Sequence, residues 1–373
     1  MSPESPLNDT FLNLNISSNS SDTEHYVPYK NRPETYIVPI VFAVIFVVGL
    51  LGNGTLMAIF VKHKVMRSIP NTYIISLTAG DLLVIIGTVP FVSTIYTLES
   101  WPYGEFVCKL SELLRDVSVG VTALNLVALS VDRYTAIVFP LSKQSSIHTK
   151  SLTVLLAVSI WFIAVILAIP GSYFAFILQL DLQGKIISVC YPYPEYMMPW
   201  YPRTMVLIKF LLFYTLPLLC TGIFYCLTAR HLIRSSQNLV GRNHSHVKQL
   251  RARVKVAKIV LIFVVLFAIS FLPSHMFLLW FYFYPNTMEN YNDFWHVCKI
   301  VGYVLTFANS CMNPVALYLV SGIFRGYFQQ YLFCCFSNKT LRRKHGHSLT
   351  LKTVNTTFIA DTPQRRLHVT TDL

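Results

Sequence analysis

The triplet Asp132-Arg133-Tyr134 closes the stretch Val117–Val131, which carries no charge. An acid–base pair set where an apolar helix leaves a bilayer is costly to keep unless it works there. Just before that stretch stand Glu112, Arg115 and Asp116. Arg115 and Asp116 leave a helix about 100° apart and so do not face each other, whereas Glu112 lies three residues before Arg115 and can pair with it. Asp81 stands alone in another apolar run, with Asn53, Thr122, Asn309, Ser310 and Asn313 as the polar residues of similar depth elsewhere. A lone buried carboxyl must protonate, pair, or hold a cation with hydroxyl and amide ligands. A small monovalent-cation or water site is favoured over a protonated acid. Hydrolytic chemistry needs Ser or Cys beside His, or paired acids, at common depth. His275 is the only histidine well inside an apolar run, and Asp81 has no acidic partner, so no enzyme is expected.

These residues sit on seven apolar blocks: 36–61, 71–98, 105–139, 151–177, 210–229, 259–284 and 300–324. Each reaches the 20 or so residues that cross a hydrocarbon core about 30 Å thick. The 373-residue chain is 54% hydrophobic and 13% charged, against about 25% charged in soluble domains. Helices are the only reading, since barrel strands alternate and are about half as long. The expected fold is all-α: a seven-transmembrane helix bundle with a short amphipathic eighth helix. Residues 1–35 form an outer arm, 36–320 the bundle, 321–335 the membrane-surface helix and 336–373 a disordered tail.

Orientation follows from Lys and Arg in the short loops. The loop after the third block carries Lys143 and Lys150, and the fifth-to-sixth loop is basic from Arg230 to Lys258. This places the N-terminus outside and the C-terminus in the cytoplasm, as in a multi-pass plasma-membrane protein. The net charge of +13 then faces inner-leaflet anionic lipids, and nucleic acid is not an expected partner. No apolar leader core occurs in the first 35 residues, so the first span is expected to start insertion. Asn8, Asn15 and Asn19 head glycosylation sequons in the outer arm, while the sequon at Asn53 lies within a span and should stay unmodified. Cys108 opens the third span on the outer side and Cys190 sits in the long fourth-to-fifth loop. The oxidising side favours a bond between them, tying that loop over the helix mouth. Cys334 and Cys335 end the amphipathic stretch and read as palmitoylation sites. Pro90, Pro170, Pro217, Pro273 and Pro314 each fall in or near a span and bend it. A hinge is the functional reading for Pro273, whose span runs into the most basic loop.

From the first span to Cys335 the chain resembles a rhodopsin-type G-protein-coupled receptor. The likeness rests on Gly52-Asn53, Leu77 with Asp81, Trp101 and Gly104 before Cys108, Asp132-Arg133-Tyr134, Trp161, Cys190, Pro217 with Tyr225, Phe267 with Pro273, and Asn313-Pro314. Within that family it is most similar to bombesin receptors and invertebrate CCHamide receptors, through Ser118-Val-Gly-Val121, Pro192-Tyr-Pro194, Leu272-Pro-Ser-His275 and the run from Asn309 to Tyr318. In that run Tyr318 comes one place later than in many relatives, with Leu317 in the usual position. Phe271 stands where the family usually has Trp, and Arg253 where many members have an acid that holds the third-span arginine.

The resemblance implies a receptor for an extracellular neuropeptide that activates a heterotrimeric G protein, with Gq suggested. The peptide enters the outer mouth and favours a state whose sixth span has swung outward at its inner end. Arg115, Asp116, Phe271, His275, Tyr303 and Phe307 are the expected pocket, with Phe267 and Pro273 as the hinge. Glu112–Arg115 pairing competes there with binding of a charged or amidated peptide end. Asp132, Arg133, Tyr134, Tyr225, Asn313, Pro314 and Tyr318 are the expected activation and coupling residues. Asp81, Thr122, Asn309 and Ser310 are the polar core, and no cofactor is expected beyond an allosteric sodium ion near Asp81. Receptor kinases and arrestin would act on tail residues such as Ser348, Thr350, Thr356 and Thr357. The competing readings are a transporter or an intramembrane hydrolase. Internal repeats and Gly-rich broken helices are absent, which disfavours the first. An opsin would need a Lys mid-way in the seventh block, and 300–324 has none.

Overall fold

The structure is a computed structural model that describes residues 31–63, 66, 69–98, 100–139, 150–182, 185–194, 200–237, 244–287 and 289–332. Where water is absent, a backbone must satisfy its own N–H and C=O groups, so each apolar block becomes a helix. Helices over Glu34–Lys62, Gly104–Val138, Ser151–Tyr173, Tyr201–Arg234, Ala257–Phe283 and Asp293–Val320 are long and apolar enough to cross a membrane. The second span is a pair, Asn71–Gly87 and Val89–Tyr96, bent by 40°. With that pair counted as one, the described residues hold a seven-helix bundle. Large apolar side chains such as Ile40, Val44, Phe162, Leu219 and Ile269 point outward and are exposed, as lipid-facing residues would be.

Prolines set the irregularities. Pro90 brings no N–H for the carbonyl of Ile86, and the second span breaks at Thr88, with Pro90 in the first turn of the helix that follows. The fifth span runs as one helix from Tyr201, but Phe210–Thr215 is π-helical. Pro217 offers no N–H to Phe213, and a widened turn accommodates the gap. Pro273 and Pro314 lie inside the sixth helix, His244–Phe283, and the seventh, Asp293–Val320. A glycine faces each of these two. A Cβ on Gly302 would meet Ser274 N at 2.6 Å and Cα at 2.8 Å, and one on Gly52 would meet Pro314 Cγ at 2.7 Å. The sixth and seventh backbones therefore touch at the Pro273 turn, and the backbone of the first packs on the ring of Pro314.

The helix ends differ from the hydropathy reading in several places, among them the sixth helix, which starts at His244. The fourth span stops at Tyr173 rather than at Ile177, and Phe176 and Ile177 instead open strand β1, Phe176–Leu182. This strand pairs antiparallel with β2, Lys185–Tyr191, with Ile177 opposite Cys190. The fifth span begins nine residues before Phe210, at Tyr201. The seventh begins at Asp293, where the Asn292 side chain accepts a hydrogen bond from Trp295 N at 3.2 Å. After an extended Ser321, a helix over Gly322–Leu332 buries Phe324 and Phe328. Phe324 packs edge-on against Phe60 of the first span at 5.9 Å, and His63 Nε2 meets the Tyr331 hydroxyl at 3.0 Å.

Candidate functional site

The outer half of the bundle holds a buried charge cluster. Arg115 donates through Nη1 to Glu112 Oε1 at 2.7 Å, and its Nη2 bonds Glu112 Oε2. Its Nε also lies 3.6 Å from Asp116 Oδ1. The expectation that Arg115 and Asp116 do not meet is thus corrected: the backbone directions diverge, but the arginine side chain is long enough to bend across. Asp116 is completed from another helix by Lys209, whose Nζ lies 2.6 Å from Oδ2. Two acids and two bases balance there, with the Asp116 side chain 6% and the Lys209 side chain 12% exposed. Gly171 of the fourth span leaves room for the pair: a Cβ there would meet Asp116 Oδ2 and Lys209 Nζ at 3.0 Å each.

A lid closes over this cluster. The disulfide Cys108–Cys190 fastens the hairpin to the third span, and Trp101 N donates to Ser188 O at 2.7 Å. Tyr193, just past β2, has its ring 5.9 Å from Lys209 Nζ, and burial raises its phenol above the ordinary value. Tyr282 at the outer end of the sixth span holds the lid, its hydroxyl 3.1 Å from that of Tyr191 and its ring 5.4 Å from that of Tyr193.

Below the charges, a cavity lined by Arg115, Val119, Phe271, Phe307, Asn309 and Ser310 leads toward the polar core. Its floor is aromatic. Phe271 packs on Phe267 with centroids 4.7 Å apart, and Tyr214 stacks on Phe267 at 6.2 Å. His275 packs against Tyr214 at 4.8 Å and Phe210 at 5.6 Å, and its Nδ1 is buried with no hydrogen-bond partner. Phe307 lines the cavity and packs on Phe42 and Tyr303 at 5.5 and 5.2 Å. Tyr303 turns toward the first and second spans, 5.9 Å from Phe42 and 6.3 Å from Tyr96.

The polar core is one network. Asn313 donates to Asp81 Oδ2 at 2.9 Å, and Asn53 donates to Ser310 O at 2.8 Å and Gly49 O at 3.0 Å. Asn53 is wholly buried and committed to these bonds. Asp81 Oδ1 and Asn53 Oδ1 are buried with no hydrogen-bond partner. Thr122, Asn309 and Ser310 line the cavity just described, so floor and core are continuous. A second polar tie joins three spans at Ser76, whose hydroxyl accepts from Asn125 Nδ2 and Trp161 Nε1 at 3.0 Å each.

At the inner end Arg133 donates through Nε to Asp132 Oδ2 at 3.1 Å, and its Nη2 bonds the same oxygen. Both residues are buried. Among the described residues no ion pair joins the third and sixth spans. Tyr134 packs on Phe224 at 5.6 Å, and Tyr225 donates to Ala257 O on the sixth span at 3.0 Å.

Residues 52–318 match the family described as 7 transmembrane receptor (rhodopsin family). The chain belongs to this family. It is 49% identical over 365 residues to the Neuropeptide CCHamide-1 receptor of Drosophila melanogaster, covering 97% of this chain and 73% of that protein. It is 38% identical over 304 residues to the [Phe13]-bombesin receptor of Bombina orientalis, covering 80% and 76%. The likeness to both receptor groups that the motifs carry therefore extends over most of the chain, and the family is one of receptors rather than enzymes.

Within this rhodopsin-family frame Tyr318 takes a particular place. Leu317 is fully buried where many members carry the tyrosine, while Tyr318 packs on Phe328 of the eighth helix at 6.0 Å, beneath Arg325. The shift by one residue turns the ring about 100° around the helix. Lys209, Gly171 and Tyr214 belong to the site but were not among the expected residues. Asn8, Asn15, Asn19, Cys334, Cys335, the tail hydroxyls and the Arg253 side chain lie outside the described residues. Of the remaining cysteines, Cys311 is buried with its Sγ on Ile45 O at 3.1 Å, and Cys298 Sγ lies 3.5 Å from Pro273 O.

Proposed function

We propose that this receptor is a neuropeptide receptor of the plasma membrane. Its N-terminus lies outside, its C-terminus faces the cytoplasm, and it activates a heterotrimeric G protein, with Gq and calcium release as the coupling. The observation that carries the reading is the charge-balanced cluster Glu112–Arg115–Asp116–Lys209, buried under a disulfide-fastened lid at the outer end. Buried charges with nothing to bind would be a stability cost without a return. Here they lie above an aromatic floor that touches the Pro273 turn. The names of the two relatives, a CCHamide-1 receptor and a bombesin receptor, support a peptide as the occupant.

A peptide end that engages Arg115, Asp116 or His275 rearranges the floor at Phe271 and Phe267. It favours the state in which the sixth span opens at its inner end, uncovering Arg133 and Tyr225 for a G-protein helix. The ligand shifts that equilibrium only by its differential affinity, about 5.5 kcal/mol for a change from 1:99 to 99:1. A sodium ion fits the polar core: Asp81 would hold it, with Ser310, Asn309 and Thr122 as hydroxyl and amide ligands, and Asp81 Oδ1 lacks a hydrogen bond. Such an ion supplies positive charge against the carboxylate and favours the closed state. Lipids contact the basic inner face, and kinases and arrestin end the signal at the tail.

The test is a panel of amidated neuropeptides applied to cells expressing the receptor, read by calcium and by nucleotide exchange on a set of G proteins. A peptide that gives exchange, with loss of the response in Arg133→Ala at unchanged surface expression, supports the proposal. Solute flux or hydrolysis without exchange sinks it.

A further inference from the structure

Charge balance holds in the buried cluster but not at the rim of the bundle above it. On the seventh helix, Asp293–Val320, His296, Lys299 and Tyr303 follow at three- and four-residue spacing and so share one face. His296 is met at both ring nitrogens: Nε2 lies 3.4 Å from Glu34 Oε1 of the first helix, and Nδ1 lies 3.2 Å from the Tyr291 hydroxyl. Tyr303 packs on Phe42 and Phe307. Lys299, between them, is partly buried and has no ion pair or hydrogen bond among the described residues. The charges that reach it are those of Arg32 and Glu34, and Glu34 is already engaged by His296. Asp293, the nearest acid on its own helix, is six residues away and about 120° around it. An ammonium drawn partly out of water with no acid of its own loses hydration without a matching contact. Its position is on the way in. Phe307, which lines the cavity, is eight residues and so about 12 Å further down the same helix, and Tyr303 between them lies within the field of Arg115.

We propose that Lys299 is a subsite for an acidic side chain of the peptide, a carboxylate met at the rim while the peptide's end reaches the charges below. This inference rests on the peptide-receptor reading and adds to it the chemical class of one peptide residue. A lysine suits the task, since its point charge and three donors on a flexible stem follow an incoming carboxylate. Glu34 does not compete, because His296 holds it. A hydrogen bond to a charged group corresponds to about a ten- to hundredfold gain in affinity.

Two measurements on the full-length receptor test it. The first needs no peptide. Lys299→Met keeps the stem and removes the charge, and it should melt no lower than wild type, because that charge has no acid to abandon. A lower melt, about 6 °C for a lost buried pair, means that an acid within the fold already holds the ammonium, and overturns the subsite. The second uses the panel of amidated neuropeptides, each acid-containing member made as found and with every Asp and Glu replaced by Asn and Gln. Nucleotide exchange is read for wild type, Lys299→Met and Lys299→Arg at matched surface expression. The acidic form of an active peptide should be about ten- to hundredfold more potent than its neutral form on wild type. That advantage should vanish on Lys299→Met and persist on Lys299→Arg. Equal potency of the two forms on wild type, or an advantage that survives in Lys299→Met, overturns the subsite and leaves the receptor reading standing. No exchange with any peptide on wild type overturns the receptor reading and the subsite with it.

Discussion

Lys209→Met isolates the Asp116–Lys209 pair. The two groups lie 2.6 Å apart with side chains 12% and 6% exposed, so little solvent screens them. Removing one member of a buried pair costs about 3–5 kcal/mol, because a charge is left behind without its partner. Arg115 Nε, 3.6 Å from the other oxygen of Asp116, still faces the carboxylate, which puts the expected loss near 3 kcal/mol at the low end of that range. At about 2 °C per kcal/mol for a large domain, the apparent Tm falls by about 6 °C. Asp116→Asn should cost a similar amount, since Lys209 is then left beside Arg115 with no acid of its own. The double variant removes both charges and leaves Glu112–Arg115 balanced, so it should melt no lower than either single change. The assay is thermal unfolding of detergent-solubilised receptor, followed by tryptophan fluorescence at one fixed scan rate because such unfolding is irreversible. A double variant that falls by the sum of the singles, about 12 °C, would show that the pair is not coupled. A wild-type melt for Lys209→Met would show that the pair contributes nothing.

Gly302→Ala drives a Cβ to 2.6 Å from Ser274 N, a backbone atom that cannot turn aside. It should cost about 1–3 kcal/mol, whereas Gly222→Ala meets nothing within 4 Å and should be neutral or stabilising by up to about 1 kcal/mol; melts of the two variants side by side decide this. Asp81→Asn should abolish the effect of replacing sodium by a large organic cation on basal nucleotide exchange, and an undiminished sodium effect would remove the ion from that site. Cys190→Ser frees the hairpin from the third span and should weaken peptide response at least tenfold without abolishing the helical signal in circular dichroism. Tyr318→Ala, by contrast, removes the ring between the seventh and eighth helices and should expose Phe328 to proteolysis or labelling at the inner face.

The bundle was legible because hydropathy is a one-dimensional property and a membrane span is a one-dimensional element. What escaped were the places where a third dimension decides. The run through Ile177 is as apolar as a helix end, but it lies beside β2, and hairpin pairing fixed to the third span by Cys108–Cys190 takes it as a strand. The fifth block seemed to start at Phe210 because Lys209 and Arg203 precede it. In the structure Lys209 is inside the span, since its charge is met by Asp116 from another helix, and Arg203 Nε reaches Tyr282 O at 2.9 Å. The break at Thr88 had a local signal in Pro90, though a proline alone does not distinguish a bend from a boundary.

The same distinction explains the site. Arg115, Asp116, Phe271 and His275 carry helical spacing that points them inward, and the structure groups the first two with Lys209 and sets Phe271 on Phe267 and His275 on Tyr214. The partners were invisible for a physical reason: each acts through an atom that sequence does not single out. Gly171 contributes an absence of side chain, Tyr214 a hydroxyl aimed at a backbone carbonyl, and Lys209 a charge that looks like a loop marker until its acid is found. A search for such residues has a usable signal. A lysine within one turn of a long apolar run, lying opposite an uncompensated acid on another span, is better read as a buried counter-ion than as the run's edge. By that rule Asp116, which no basic residue on its own helix fully satisfies, requires a cation from elsewhere, and Lys209 is the lysine that immediately precedes the fifth apolar block.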